Sequence, residues 1–158
     1  TDESYIPHKN DEDLLITRKL LEEKLEGTDL HFHEALVIRT MPNDHSKKSR
    51  NYMKHHPPYF SLEAMEYICG LNVQHLLIDI PSVDRTFDEG KLTAHHIYWD
   101  VEQGSHNVNK DQHSLKTITE MIYVPEEIKD GNYLLNIQIP DFVSDAAPSR
   151  VCLFNIEI

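Results

Sequence analysis

Within about forty residues the chain gathers Asp79, Asp84, Asp88, His95, His96, His106, His113 and Glu120, on or after the ends of apolar runs. Imidazole and carboxylate together are the donor set of Zn(II), Mn(II) or Fe(II), and hydrolytic sites use such ions to lower the pKa of a bound water. The spacing is less specific than the chemistry. There is no HExxH, and His95 and His96, as neighbours in an extended chain, would point to opposite faces. On residues alone, a metal site and a set of surface histidines and caps both stay open. His31-x-His33 is a second candidate pair, placed before a strand or on the surface, and His55-His56-Pro57-Pro58 reads as a turn stiffened by proline. Lys47, Lys48, Arg50 and Lys54, opposed only by Asp44, make one basic patch, which is either a solvated loop or a surface for an acidic substrate or partner. No GxSxG, Walker loop, GxGxxG or CxxC occurs, so nucleophilic serine chemistry and nucleotide cofactors have no footing.

These side chains need elements to hold them. Thr17 reads as the N-cap of a short amphipathic helix with Leu20, Leu21 and Leu25 on one stripe and Gly27 past its end. The run Ala35–Arg39 (ALVIR) has strand length, and its unbroken apolarity predicts an inner strand covered on both faces. A loop from Thr40 to Pro58 follows, longer than compact domains usually carry without a functional reason. Ser61 then caps a helix through Cys69, and His75–Ile80 (HLLIDI) is a second buried strand, so strand, helix and strand predict a right-handed parallel crossover. The polar stretch after Pro81 leaves the carboxyl end of that strand, where α/β sheets build their sites, with AHHIYW (94–99) as its one apolar island. Thr117–Tyr123, Tyr133–Ile139 and Val151–Ile158 are three further strands. The sum is an α/β chain of about five strands. Residues 1–13, polar and acidic, read as a flexible arm or linker, and 14–158 as one domain.

Composition excludes several classes of function. With 158 residues the chain is long enough for a real core. Fifteen Lys and Arg stand against 27 Asp and Glu, a net charge of -12, which argues against nucleic acid as a partner. No apolar run approaches the roughly 18 residues of a membrane span, so no membrane association is expected, and the default compartment is cytoplasmic. Cys69 and Cys152 allow at most one bridge, and two buried thiols is the plainer reading.

Taken in order, ALVIRT (35–40), LLIDIPSVDR (76–85), AHHIYW (94–99) and TITEMIYVP (117–125) resemble the cyclase family of metal-dependent hydrolases, the kynurenine formamidase (arylformamidase)-like enzymes. The resemblance implies a swivelling β/β/α fold with a mixed sheet. It also implies a divalent metal, Zn or Mn, that activates water against the carbonyl of a small amide, cyclic amide or lactone. Carried onto this sequence, it makes His95, with His96 as the alternative, the catalytic and metal-ligating histidine. Glu120 becomes a metal ligand, and Asp79, Ser82 and Asp84 fall on the substrate side. The partners it implies are a small-molecule substrate and further copies of the chain, in a dimer or larger oligomer. Most of the family's ligands come from His-x-Gly-Thr-His-x-Asp-x-Pro-x-His, which is not in this sequence; His31-x-His33 lacks the Gly, the Asp and the Pro. The chain therefore reads as the C-terminal part of such a hydrolase, a weak metal binder and poor enzyme by itself, with the ligand-rich segment upstream. A non-catalytic module that binds a small acid or a protein through the basic loop is the competing reading.

Overall fold

The computed structural model describes residues 1–28, 34–105 and 114–156. Its contacts divide the chain into two compact units, Thr1–Tyr123 and Val124–Ile158. The first unit is built on a three-stranded parallel sheet of β2 (Ala35–Ile38), β4 (His75–Ile78) and β5 (Thr117–Thr119), in that order across the sheet. Two residue pairs, Leu36 with Leu76 and Leu76 with Ile118, fix the register. Strand β4 is central and its Leu76, Leu77 and Ile78 are buried. Ala35–Ile38 is parallel to it as expected, but it stands at an edge of this sheet and is half-buried along its length. An unbroken apolar run cannot distinguish a strand covered on two faces from one with a free side, because hydropathy does not record which neighbour the backbone pairs with.

The helices cover the sheet for reasons visible in their sequences. In α1 (Arg18–Leu25) the Thr17 side chain accepts from the Leu20 amide, but Leu21 is buried and Leu20 faces outward. In α2 (Leu62–Gly70) Ser61 Oγ accepts from Ala64 N at 3.0 Å, and Ala64, Met65 and Ile68 enter the core beside Phe60, Leu76 and Ile78. A third helix, α3 (Thr93–Trp99), takes up AHHIYW and buries Ala94 and Tyr98. Short parallel strands β1 (Leu15–Ile16) and β3 (Tyr59–Phe60) form a separate pair.

Residues 3–6 are not a loose arm. Glu3 accepts from the amides of Arg18 and Lys19 and from Ser61 Oγ. Ser4 donates to Glu63 and accepts from Leu62 N, and Thr93 Oγ1 donates to Ile6 O. This strap thus ties the first turns of all three helices, and Tyr5 is only 5% exposed. An acidic, polar composition hid this, since Glu3 and Ser4 act as caps for helices that come later in the chain.

The second unit pairs β6 (Tyr133–Gln138) with β7 (Arg150–Asn155) as an antiparallel ribbon, Leu135 opposite Leu153. The expected mixed α/β structure is thus present, with its strands in parallel and antiparallel sheets. Leu134, Phe142, Val143 and Phe154 of this unit are exposed. Both cysteines are free thiols, half-buried.

The long loop after β2 is anchored from beneath. Lys47, read as part of the basic patch, is buried: its Nζ lies 2.6 Å from Asp79 Oδ2, with side chains 5% and 0% exposed, and it also donates to Thr40 O and Thr40 Oγ1. Thr40 N donates to both Asp79 oxygens. Lys47→Met would leave a buried carboxylate without its cation and is expected to cost about 3 kcal/mol in denaturant unfolding. A loss below about 1 kcal/mol, the scale of a surface pair, would contradict this anchoring.

Candidate functional site

Polar groups collect where the parallel strands end. The β5 ladder stops at Thr119, which puts Glu120 just past the strand and beside the segment that leaves β4. There Met121 N donates to Ile80 O, Ile122 N to Ile78 O, and Val83 N to Glu120 Oε1 at 3.2 Å. Met121 follows with a left-handed φ of 58°, and Leu92, immediately before α3, has 48°. Non-glycine residues in this region carry strain, and here they flank both elements of the site.

Helix α3 has no side-chain cap of its own. Asp84, in the loop after β4, supplies one: its carboxylate accepts from Ala94 N at 2.8 Å and His95 N at 3.2 Å. The same carboxylate takes the His95 Nδ1–H at 2.6 Å and the Tyr5 hydroxyl at 2.7 Å. The other ring nitrogen, Nε2, then faces Glu120 Oε1 at 3.5 Å. His95 lies against Trp99, ring centroids 5.1 Å apart, and Trp99 is held by its indole N–H on Lys116 O.

Because α3 is a helix, neighbouring side chains diverge by about 100°. The expectation of two histidines on opposite faces of an extended chain gives way: His95 turns to Asp84 and Glu120, while His96 is buried. Of the other candidates, Asp79 has its side chain fully enclosed and holds the Lys47 loop. Asp84 is 2% exposed and acts on His95 instead of on solvent. Ser82, half-buried, accepts from Asp84 N at 3.1 Å and shapes the turn. Asp88 is committed to the amides of Gly90 and Leu92. His31, His33, His106 and His113 lie outside the described residues. Tyr5 escaped the sequence reading, because a lone tyrosine in a polar segment carries no periodic signal.

The Nε2–Oε1 separation has a chemical meaning. Two donors each about 2.1 Å from one tetrahedral ion stand about 3.4 Å apart, close to the 3.5 Å seen here. A histidine whose other N–H is held by a carboxylate is also the arrangement that orients metal-binding imidazoles. His95 and Glu120 therefore fit one edge of a metal site. Among the described residues no group of three or more His, Cys, Asp or Glu could hold an ion.

Without a metal the same pocket favours a proton. Burial works against charge on His95, but its hydrogen bonds to Asp84 and Glu120 and their negative charges outweigh it and push the imidazole up to about 9. Burial likewise opposes the Asp84 charge, and hydrogen bonds from His95, Tyr5 and Ala94 N prevail, holding it below the usual carboxylate range. The raised imidazole contributes stability in full below the unfolded value of roughly 6.5, and that contribution disappears as pH rises through about 9. The expected loss is on the order of 3 kcal/mol, measured by denaturant unfolding of the metal-free chain across that interval. His95→Gln should flatten the dependence; stability that stays level or rises in the unsubstituted chain would contradict the pocket's preference.

Two solved structures share the fold: a predicted metal-dependent hydrolase from Bacillus stearothermophilus and a potential metal-dependent hydrolase with cyclase activity. The first has a TM-score of 0.56 at 16% identity over 96% of this chain and 61% of that one. The second has a TM-score of 0.50 at 16% identity over 92% of this chain and 65% of that one. The chain thus spans less than two thirds of either structure's length. No curated protein matches the sequence. The model of the family described as Putative cyclase matches residues 5–85, from the strap tyrosine through the Asp84 loop, and with more than half of its residues so matched the chain belongs to that family.

Proposed function

We propose that the chain carries one side of a metal-dependent hydrolase site that opens a small amide, cyclic amide or lactone. The observation that supports it most is the His95–Glu120 pair, 3.5 Å apart with the far nitrogen of the ring held by Asp84. His95 Nε2 and Glu120 would hold the ion, Zn(II) or Mn(II), with the remaining donors supplied from outside residues 1–28, 34–105 and 114–156. When bound, such an ion lowers the pKa of water and polarises a carbonyl. The chain's own residues do the rest. Asp84 holds the Nδ1–H so that Nε2 presents its lone pair, Trp99 walls the ring, and Val83 N keeps Glu120 from rotating away. Two donors hold a divalent ion weakly, so the isolated chain should bind metal in rapid exchange and turn over poorly.

A second reading, a non-catalytic module for a small acid, has one observation in its favour. In a chain of net charge -12, Lys48 Nζ sits 4.3 Å from the centre of the Tyr123 ring, and His45 meets the same ring at 5.8 Å. We also propose that the chain works as an oligomer, with another copy covering exposed residues such as Leu134 and Phe154. No helix among the described residues is long and apolar enough to cross a membrane.

Hydrolysis of a small N-formyl amide, followed with Zn(II) or Mn(II) and after chelation, tests the main reading on the protein together with any chain that completes its site. Activity should require the metal and fall about 100-fold or more in His95→Gln and Glu120→Gln. Hydrolysis indifferent to chelator or to both substitutions would contradict it, and binding of benzoate without any hydrolysis would favour the second reading.

A further inference from the structure

We propose that Tyr5 is a positioning residue for His95, acting through the Asp84 carboxylate. The argument begins with what fixes a carboxylate in place. The last torsion of an aspartate is broad and roughly two-fold, so its own rotamer preference does not set the plane of the two oxygens. Hydrogen bonds must do so.

An ionised carboxylate has about four acceptor positions, and at Asp84 four donors fill them. Oδ1 takes the Tyr5 hydroxyl at 2.7 Å and Ala94 N at 2.8 Å; Oδ2 takes His95 N at 3.2 Å and His95 Nδ1 at 2.6 Å. Three of these come from the first turn of α3, on one side. Tyr5 is the donor from another part of the chain, and so it resists rotation of the carboxylate about its bond to the β-carbon. Should that plane turn, the Nδ1–H contact lengthens and Nε2 loses its aim at Glu120.

Tyr5 is itself held on several sides. Its oxygen accepts from Arg85 N at 3.0 Å, its ring meets Tyr59 edge-on at 4.7 Å, and the strap on either side is tied to the starts of the helices. Burial and the nearby Asp84 charge raise its pKa well above the ordinary tyrosine value, so at neutral pH it is a donor. Its use in hydrolysis rests on the reading proposed above, whereas its effect on the His95 ring does not.

The experiment compares Tyr5→Phe with Tyr59→Phe. The second variant removes the hydroxyl of the ring packed on Tyr5, one bonded to Asp13 at 2.8 Å and not to Asp84. With ring-labelled histidine, nitrogen and proton NMR of the chain follow solvent exchange of the His95 Nδ1–H. Tyr5→Phe should speed that exchange by about tenfold, the scale of one hydrogen bond to a charged group, while Tyr59→Phe leaves it within about twofold. A fluorinated tyrosine at position 5 keeps the hydroxyl and strengthens it as a donor, and should slow the exchange. In the hydrolysis assay Tyr5→Phe should lower kcat with KM unchanged. No change in exchange in either position-5 variant overturns the proposal, and so does an equal effect of Tyr59→Phe. No hydrolysis by the protein with its site completed and metal supplied, but with exchange that responds to Tyr5, would sink the hydrolase reading and leave the positioning role standing.

Discussion

The buried carboxylate of Asp84 is the constraint on which the first unit's organisation depends. A charge that is 2% exposed is tolerable only if its lone pairs are satisfied. Asp84 meets that condition with donors from three places: the strap, the start of α3 and the His95 ring. The requirement of one carboxylate thus brings the strap tyrosine, the helix N-terminus and the imidazole to one point. Its loop neighbour Val83 passes the constraint on to Glu120 through a backbone amide.

Around that point the parallel sheet provides a common end. The loop after β2 is pinned by Lys47 on Asp79, the loop after β4 contains Asp84, and Glu120 follows β5. Positioning at this end has a cost. Leu92 and Met121 adopt left-handed backbone, and a lysine and an aspartate are buried together. Such features persist only where the surrounding structure enforces them, and here the core of α2, α3 and β4 does so.

Much of this was legible in the sequence. The apolar runs at 35–39 and 75–80 announced the parallel pair, Thr17 and Ser61 announced their helices, and the order of motifs from ALVIRT to TITEMIYVP announced the family. What the sequence concealed has physical reasons. AHHIYW is too short for a clear period, and its helix is capped by a residue ten positions upstream, so no local signal marked its start. The edge position of β2 depends on backbone pairing, to which side-chain hydropathy is blind. The surroundings of Asp79 and Asp84 stayed hidden because exposed and buried carboxylates are identical as letters; only the positions of Lys47 and His95 reveal what each holds. The strap was hidden by polarity that serves capping instead of solvation.

The central claim is that Asp84 sets the state and direction of the His95 ring. Titration of that ring by NMR, in the unsubstituted chain and in Asp84→Asn with metal removed, tests it most directly. With Asp84 in place the imidazole should titrate near the value of about 9 to which the pocket pushes it. In Asp84→Asn only Glu120 is left to oppose burial, and the midpoint should fall by at least about one pH unit, toward the roughly 6.5 of a free histidine. An unchanged midpoint in a folded Asp84→Asn protein would contradict the account.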